Sequence, residues 1–540
     1  MKHMKRLASL FLALTLVFAL AATAGAATVT VPSDGILKDH TFTAYQVFSG
    51  VEADGILTEV QWGSGIDSTA FLTALKADTT YGSLFTDCAD AAAVAKVLGN
   101  NNTNTALANA VAKLAYAKKS GAGTALTSGE NTLADGYYLV VDTTETVAAG
   151  SAYNTALLQV VGNINITAKT DAPTVEKKVL EDDKYNQDGG YGTGYNDVAD
   201  YNIGDAVPFH LIGTVPDMSR FDTYKYIFHD TLSAGLTAPA KAAVKVYLSR
   251  NKIRDESDTD VTSSFTVAVE GQNITVSIDN LNGISNITND QYIIVEYTAT
   301  LNQNAVVGLD GNPNTVYLEY SNKPDQSGSG NSNTGNTPPD NVIVFTYELD
   351  TTKVDGQNNN TKLKDAKFVL LNSDSTKVAK ITGGKFAGWQ ELPKEVDGKI
   401  PATSWNGDTV LTSAETTGLF SVTGLDDGTY KLREIVAPAG YNLLSTDIAV
   451  VITATTTNGQ TWTNGQASSA LTNLAVTADT VAGTGNTSTG IAGITIANNK
   501  GSTLPETGGV GTTLFYVLGG ILVAGAVVLL VTKKRMNSAE

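Results

Sequence analysis

Two lysines of this chain fall where a strand should be apolar. In "PTVEKKV" (173–179), Val175, Lys177 and Val179 share one face of an extended strand, and Glu176 and Lys178 share the other. In "FTYELDTTKVD" (345–355), Phe345, Tyr347, Leu349, Thr351 and Lys353 share a face in the same way. Lys177 and Lys353 therefore point into a core, while Lys178 is expected to point to water. An unpaired ammonium in a core is very costly, so each needs a partner. The same alternation supplies acids: "YKYIFHD" aligns Tyr226, Phe228 and Asp230, and "TYKLRE" aligns Tyr430, Leu432 and Glu434. It also supplies carboxamides, with Asn322 ending "VYLEYSN" and Asn498 ending "ITIAN". Lys177 to Asn322 and Lys353 to Asn498 are each 145 positions apart.

A lysine, an acid and an asparagine buried together can do one reaction. Burial lowers the lysine pKa and raises that of a carboxylic acid, so the proton can rest on the acid. The neutral amine is then a nucleophile. The protonated acid polarises the Asn carbonyl and shuttles protons. Ammonia leaves, and a Lys–Asn isopeptide bond remains. The competing reading is two ordinary buried ion pairs beside an amide. The repeated order and equal spacing favour the reactive one. Asn499 is the neighbour to consider should the strand end slip by a residue.

The elements that must position these groups are strands. Thr, Val, Tyr and Ile alternate with polar residues in runs such as "SFTVAVEG", "NITVSIDN" and "QYIIVEYTATL", separated by Gly, Asn and Asp. The expected class is all-β, with tandem immunoglobulin-like sandwiches. A helical insertion is expected in the first, where Asp67 caps "STAFLTALK" and Leu107, Val111 and Leu114 form a stripe. The expected division is a first domain at 27–170, a middle domain at 171–325, a polar linker at 326–339 and a third domain at 340–500. "LKDHTF" and "DGYYLVVD" in the first domain echo "LKDAKF" and "DGTYKLRE" in the third, which sets Asp142 opposite Glu434.

The ends fix the compartment. Lys2, Lys5 and Arg6 precede an apolar run ending "TAGAA", the order of a secretory signal peptide over 1–26. The other end, 504–540, holds "LPETG", a span expected at 512–532, and Lys533, Lys534 and Arg535, which hold the terminus on the cytoplasmic side. One cysteine, Cys88, cannot form an internal disulfide and reads as a buried hydrophobe. Asp and Glu outnumber Lys and Arg 54 to 36, which excludes nucleic acid as a partner. No cofactor or metal site is indicated. "EDDKYNQDGG" lacks EF-hand spacing, and "GGYGTGYND" lacks a strand-to-helix frame. His229 faces away from Asp230, so that pair is no catalytic dyad.

Over nearly its whole length the chain resembles the backbone (major) pilins of sortase-assembled pili of Gram-positive bacteria, the SpaA-like type. Leu504, Pro505, Glu506, Thr507 and Gly508, with the span and basic tail, match the sorting signal. "KLREIVAPAGY", containing Glu434, matches the E-box of these pilins and of CnaB-type domains, and "KVD" with "LKDAKFVL" matches a CnaB-type start. "HDTLSAGL" and "LEYSNKP" match the middle domain, which is of the CnaA/CnaB isopeptide-forming kind. The resemblance implies bonds Lys177–Asn322, promoted by Asp230, and Lys353–Asn498, promoted by Glu434. It also implies a pilin lysine, and "NINITAK" places Lys169 there, with Thr167 and Ala168 replacing the usual Tyr and Pro. The first domain has no lysine on its opening strand "TVTV" and is expected to lack a bond. The implied partners are a pilin sortase acting at Thr507, a housekeeping sortase, further copies of the chain, ancillary tip and base pilins, and peptidoglycan. The implied place is the cell surface, as a pilus attached to the wall and supporting adhesion. The protein is then a building block and sortase substrate, not an enzyme. A monomeric wall-anchored adhesin with CnaB-type stalks, or an ancillary pilin, would share the triads and the sorting signal. The monomeric adhesin would not need Lys169.

Overall fold

The computed structural model describes residues 26–53, 56–160, 164–167, 171–182, 194–325, 333–397, 399–459, 462, 467, 469–501 and 510–536. Its strands build three successive sandwiches, as the alternation predicts. In the first, Ala26–Val31 pairs antiparallel with Gly129–Ala134 and parallel with Ile164–Asn165. The facing sheet is centred on Phe42–Ala53, between Ile56–Trp62 and Gly136–Asp142. The expected helical insertion is present as Ser68–Ala77, Gly82–Phe85, Ala91–Asn100 and Thr105–Ala117. Asp67, Asp90 and Asn104 cap three of these helices by accepting from backbone N–H groups. Leu107 and Val111 are buried, and Cys88 packs in the same apolar cluster.

The middle sandwich places the first reactive lysine. Val175–Leu180 is buried at alternate residues, so Lys177 enters the core between Val175 and Val179. It pairs with Ala206–Thr214, which pairs in turn with Tyr292–Leu301. The opposite sheet holds Tyr226–Leu232 against Asn312–Ser321.

The expected boundary at 340 is displaced. Asp340–Phe345 pairs with Asn312–Ser321 and with Val198–Asp200, so it belongs to the middle sandwich, and the third begins at Tyr347. Thr334–Asn336, expected as linker, also pairs with this sheet. The reason lies in "NVIVF": Val342 and Val344 join the middle core, while Ile343 and Phe345 join the core of the third domain. A strand buried on both faces reads as a continuous apolar run, without the alternation that would assign it to one domain.

In the third sandwich Tyr347–Asp355 runs parallel to Ile491–Asn498, and Lys367–Asn372 pairs with Gly428–Val436. The internal repeat holds in register. Phe368 faces Glu434 here, and Phe42 faces Asp142 in the first domain. Both domains also close with a parallel pair of first and last strands. Beyond them, Val510–Met536 is a helix whose segment Leu514–Met536 is long and apolar enough to cross a membrane.

Where the third domain has Glu434, the first has a non-covalent cluster. Asp142 Oδ2 accepts from His40 Nδ1 (2.6 Å) and from the Asn154 N–H (2.7 Å), and Oδ1 accepts from the Thr144 hydroxyl (2.6 Å). Burial pushes the Asp142 carboxyl up, but these donors outweigh it and hold the group below its ordinary value. Its contribution is therefore complete at neutral pH and is lost as pH falls below the ordinary carboxylate range. Asp142→Asn should cost the first domain about 1–3 kcal/mol at pH 7. The gap to wild type should close below about pH 4. Calorimetry of the full chain checks both.

Candidate functional site

In the middle sandwich, the Lys177 ammonium donates to Asp230 Oδ1 and lies 3.2 Å from the Tyr297 hydroxyl. Tyr297 donates to Asp230 Oδ2, and Asn314 Nδ2 donates to the Tyr297 oxygen at 2.7 Å. None of the four is more than 3% exposed. Phe209 walls the cluster, its ring 5.4 Å from that of Tyr297. Burial pulls the Lys177 pKa down, against the opposing pull of Asp230 and Asp340. Asn314 Oδ1 is buried with no hydrogen-bond partner among the described residues.

The structure does not bring Asn322 to Lys177. In the ladder Asp230 faces Val316, so Asn314 lies two residues away on the same face, while Asn322 lies six residues the other way. Six residues of strand span about 20 Å. Asn322 instead sits where the first and middle domains meet, its carbonyl accepting from the Tyr153 N–H at 2.9 Å. Side-chain parity could not choose, because Asn312, Asn314 and Asn322 all occupy buried positions of one strand and its end. Tyr297, also absent from the sequence reading, lies on a strand whose core face carries Ile293, Val295 and Ala299.

In the third sandwich the expected trio does converge. Lys353 faces Ile496 in the parallel ladder and donates to its carbonyl at 3.0 Å, with Asn498 two residues further on the same face. Asn498 Nδ2 donates to Glu434 Oε2 (2.9 Å) and to the Asn442 carbonyl (2.8 Å). Glu434 Oε2 also accepts from the Leu444 N–H. Glu434 Oε1 and Asn498 Oδ1 are buried without a partner among the described residues. Burial, opposed by Glu434, pushes the Lys353 pKa down to about 8. Asn499 is exposed, with its backbone carbonyl accepting from the Asn442 N–H, so its side chain lies outside the buried cluster. Each cluster thus sets an amine, a carboxyl and a carboxamide together away from water.

Lys178 is not the solvated amine expected. Its ammonium donates to Asp197 at 2.6 Å, and its side chain is 12% exposed. His229 does face away from Asp230 and meets Glu319 at 3.0 Å. Lys169 and Leu504, Pro505, Glu506, Thr507 and Gly508 lie outside the described residues. So do 1–25, and the parts of the two acidic and Gly-rich segments at 183–193. The one described carboxylate group with spacing suited to a cation is Asp200, Asp426 and Asp427, whose oxygens lie within 4.8 Å of one another where the middle and third domains meet.

Three family models match the chain. Residues 348–466 match the SpaA "Prealbumin-like fold domain", and 203–324 match the "Gram-positive pilin backbone subunit 2, Cna-B-like domain". Residues 496–538 match the "LPXTG cell wall anchor motif". The Trypsin-resistant surface T6 protein of Streptococcus pyogenes serotype M6 is 24% identical over 434 residues, 68% of this chain and 70% of that protein. Among solved structures, the T6 backbone pilin of the same organism aligns over 89% of this chain and all of that one, with TM-score 0.51 and 17% identity. The full-length major pilin SpaD of Corynebacterium diphtheriae aligns over 89% of this chain and 98% of that one, with TM-score 0.44 and 15% identity.

The Lys353 environment has a pH signature. In Asn498→Ala the carboxamide is gone, and Lys353 stays a buried amine. Its value near 8 lies below the ordinary 10.5, so the unfolded chain holds the extra proton between those limits. Third-domain stability of this variant should therefore rise with pH from about 8 to about 10. Adding Lys353→Met should flatten the rise. Urea unfolding followed by Trp389 and Trp405 fluorescence measures both.

Proposed function

We infer that this chain, a wall-anchored backbone pilin of Gram-positive bacteria, closes two Lys–Asn isopeptide bonds within itself and is then joined to its neighbours by sortase. The shaft is structural, and the chemistry happens once per bond. The observation that carries the reading is the third-domain cluster, where lysine, glutamate and asparagine share one buried site. There the neutral Lys353 amine attacks Cγ of Asn498, Glu434 moves the protons, and ammonia departs. Holding the three groups in one buried site supplies the proximity term. In the middle domain the corresponding bond is Lys177–Asn314, with Asp230 as the acid.

Each bond closes a loop of more than 100 residues, which the entropy model values on the order of 4–5 kcal/mol. The larger effect is mechanical. Tension entering the third domain at Tyr347 passes from Lys353 to Asn498 and out, so residues 354–497 carry none of it. Residues 178–313 are bypassed likewise. Glu434→Ala should leave the third domain folded but unlinked, and cut sooner by trypsin than wild type.

Polymerisation uses different groups. A pilin sortase cleaves between Thr507 and Gly508, and the acyl group passes to a lysine of the next copy. Lys177 is consumed internally, and Lys178 is held by Asp197. Lys169, between the first and middle sandwiches, is the amine we assign. Thr507-to-Lys169 joints make an open-ended head-to-tail fibre, which a housekeeping sortase attaches to peptidoglycan. The test is a blot of cell-wall extracts boiled in SDS. Wild type and Lys178→Ala should give a high-mass ladder, and Lys169→Ala should give only monomer. A Lys169→Ala ladder of wild-type length would refute the assignment.

A further inference from the structure

The two clusters differ in how the acid meets the leaving group. In the third domain Glu434 Oε2 touches Asn498 Nδ2 at 2.9 Å, so the acid can protonate the departing nitrogen itself. In the middle domain the bond recorded for Asn314 Nδ2 goes to the Tyr297 hydroxyl at 2.7 Å. Asp230 engages Lys177 through Oδ1 and the tyrosine through Oδ2. The phenol thus stands between the acid and the nitrogen that must leave. Aspartate is one methylene shorter than glutamate, and the tyrosine hydroxyl bridges the missing reach.

We propose that Tyr297 is a catalytic residue of the middle-domain bond, relaying the proton from Asp230 to the departing Asn314 nitrogen. The proposal rests on the Lys177–Asn314 reading and deepens it. The Lys177 ammonium first gives one proton to the Asp230 carboxylate. The neutral amine adds to Cγ of Asn314, pushing the carbonyl electron pair onto Oδ1. Tyr297 gives its hydroxyl proton to Nδ2 and takes the Asp230 proton in return. Asp230 then removes one proton from the lysine nitrogen. The carbonyl reforms, the Cγ–Nδ2 bond breaks and ammonia leaves. One C–N bond forms and one breaks, Tyr297 is regenerated, Asp230 ends neutral, and no outside reactant is needed. Amide nitrogen cannot depart as an anion, so the step requires a donor at this position. The site is also dry: Tyr297 is 3% exposed and Asn314 is fully buried.

The test is timed cell-free synthesis of the full chain, quenched in acidic denaturant and digested. Cross-linked peptides from both domains are then counted. The Lys353–Asn498 bond of the same molecules is an internal clock for synthesis and folding. Tyr297→Phe keeps the ring stacked on Phe209 and should slow the Lys177–Asn314 bond at least tenfold against that clock. Adding Asp230→Glu to Tyr297→Phe lengthens the acid and should restore the rate to within about threefold of wild type. Equal rates in wild type and Tyr297→Phe would overturn the relay. So would a slow Tyr297→Phe that Asp230→Glu leaves slow, since that pattern fits lost packing alone. Absence of the middle-domain bond from wild type would instead overturn the parent reading.

Discussion

The buried lysine amine is the constraint on which the rest of this protein depends. Lys177 and Lys353 are both fully buried. A charged amine there loses its hydration and regains it only in part, Lys177 from Asp230 and the Tyr297 hydroxyl and Lys353 from the Ile496 carbonyl. Each charged amine is therefore poorly compensated, and moving its proton onto the nearby acid relieves the cost. The same burial that makes the pair expensive makes the amine nucleophilic. The carboxamide set beside it is the acceptor for the isopeptide bond proposed above. The first domain shows the alternative. Its opening strand brings no lysine, and among the described residues Asp142 is met by His40, Thr144 and Asn154, none of them an amine nucleophile.

The joints between sandwiches are built for a shaft. Asp340–Phe345 gives one face to the middle core and the other to the third, so these two domains share a strand in place of a tether. Asp200 at the end of the neighbouring strand accepts from the Tyr347 hydroxyl at 2.9 Å. Between the first and middle domains, Arg220 donates to Asp325, to the Asn109 side chain and to the Ala156 carbonyl, while Asp325 accepts from the Ala156 N–H. A buried Arg–Asp pair hydrogen-bonded to both domains in this way ties the orientation of one to the other. These joints and the proposed isopeptide bonds bear on the same problem, which is carrying load along a chain of sandwiches.

Alternation of side chains made much of this legible from sequence. It placed Lys177, Lys353, Asp230, Glu434 and Asn498 on core faces, and the echo of "LKDHTF" in "LKDAKF" anticipated the shared register of Phe42 and Phe368. What alternation reports is a face, not a height along the strand. Asn314 and Asn322 lie on one face of one strand and its end, and only the pairing of Asp230 with Val316 separates them. The boundary at 340 failed for a related reason: a strand buried on both sides has no polar face to read. Lys178 alternates correctly toward the outside, but Asp197 folds over it from a separate segment, which local pattern does not encode. Tyr297 was hidden by its company, since an aromatic among core residues of a strand looks like packing.

If both lysines are consumed inside their own domains, the mass of the folded mature chain before sortase cleavage records it. The expected mass lies below the sequence value by two ammonias, with cross-linked peptides joining Lys177 to Asn314 and Lys353 to Asn498. A chain at its full sequence mass, or one in which Lys177 is joined to Asn322, would contradict it.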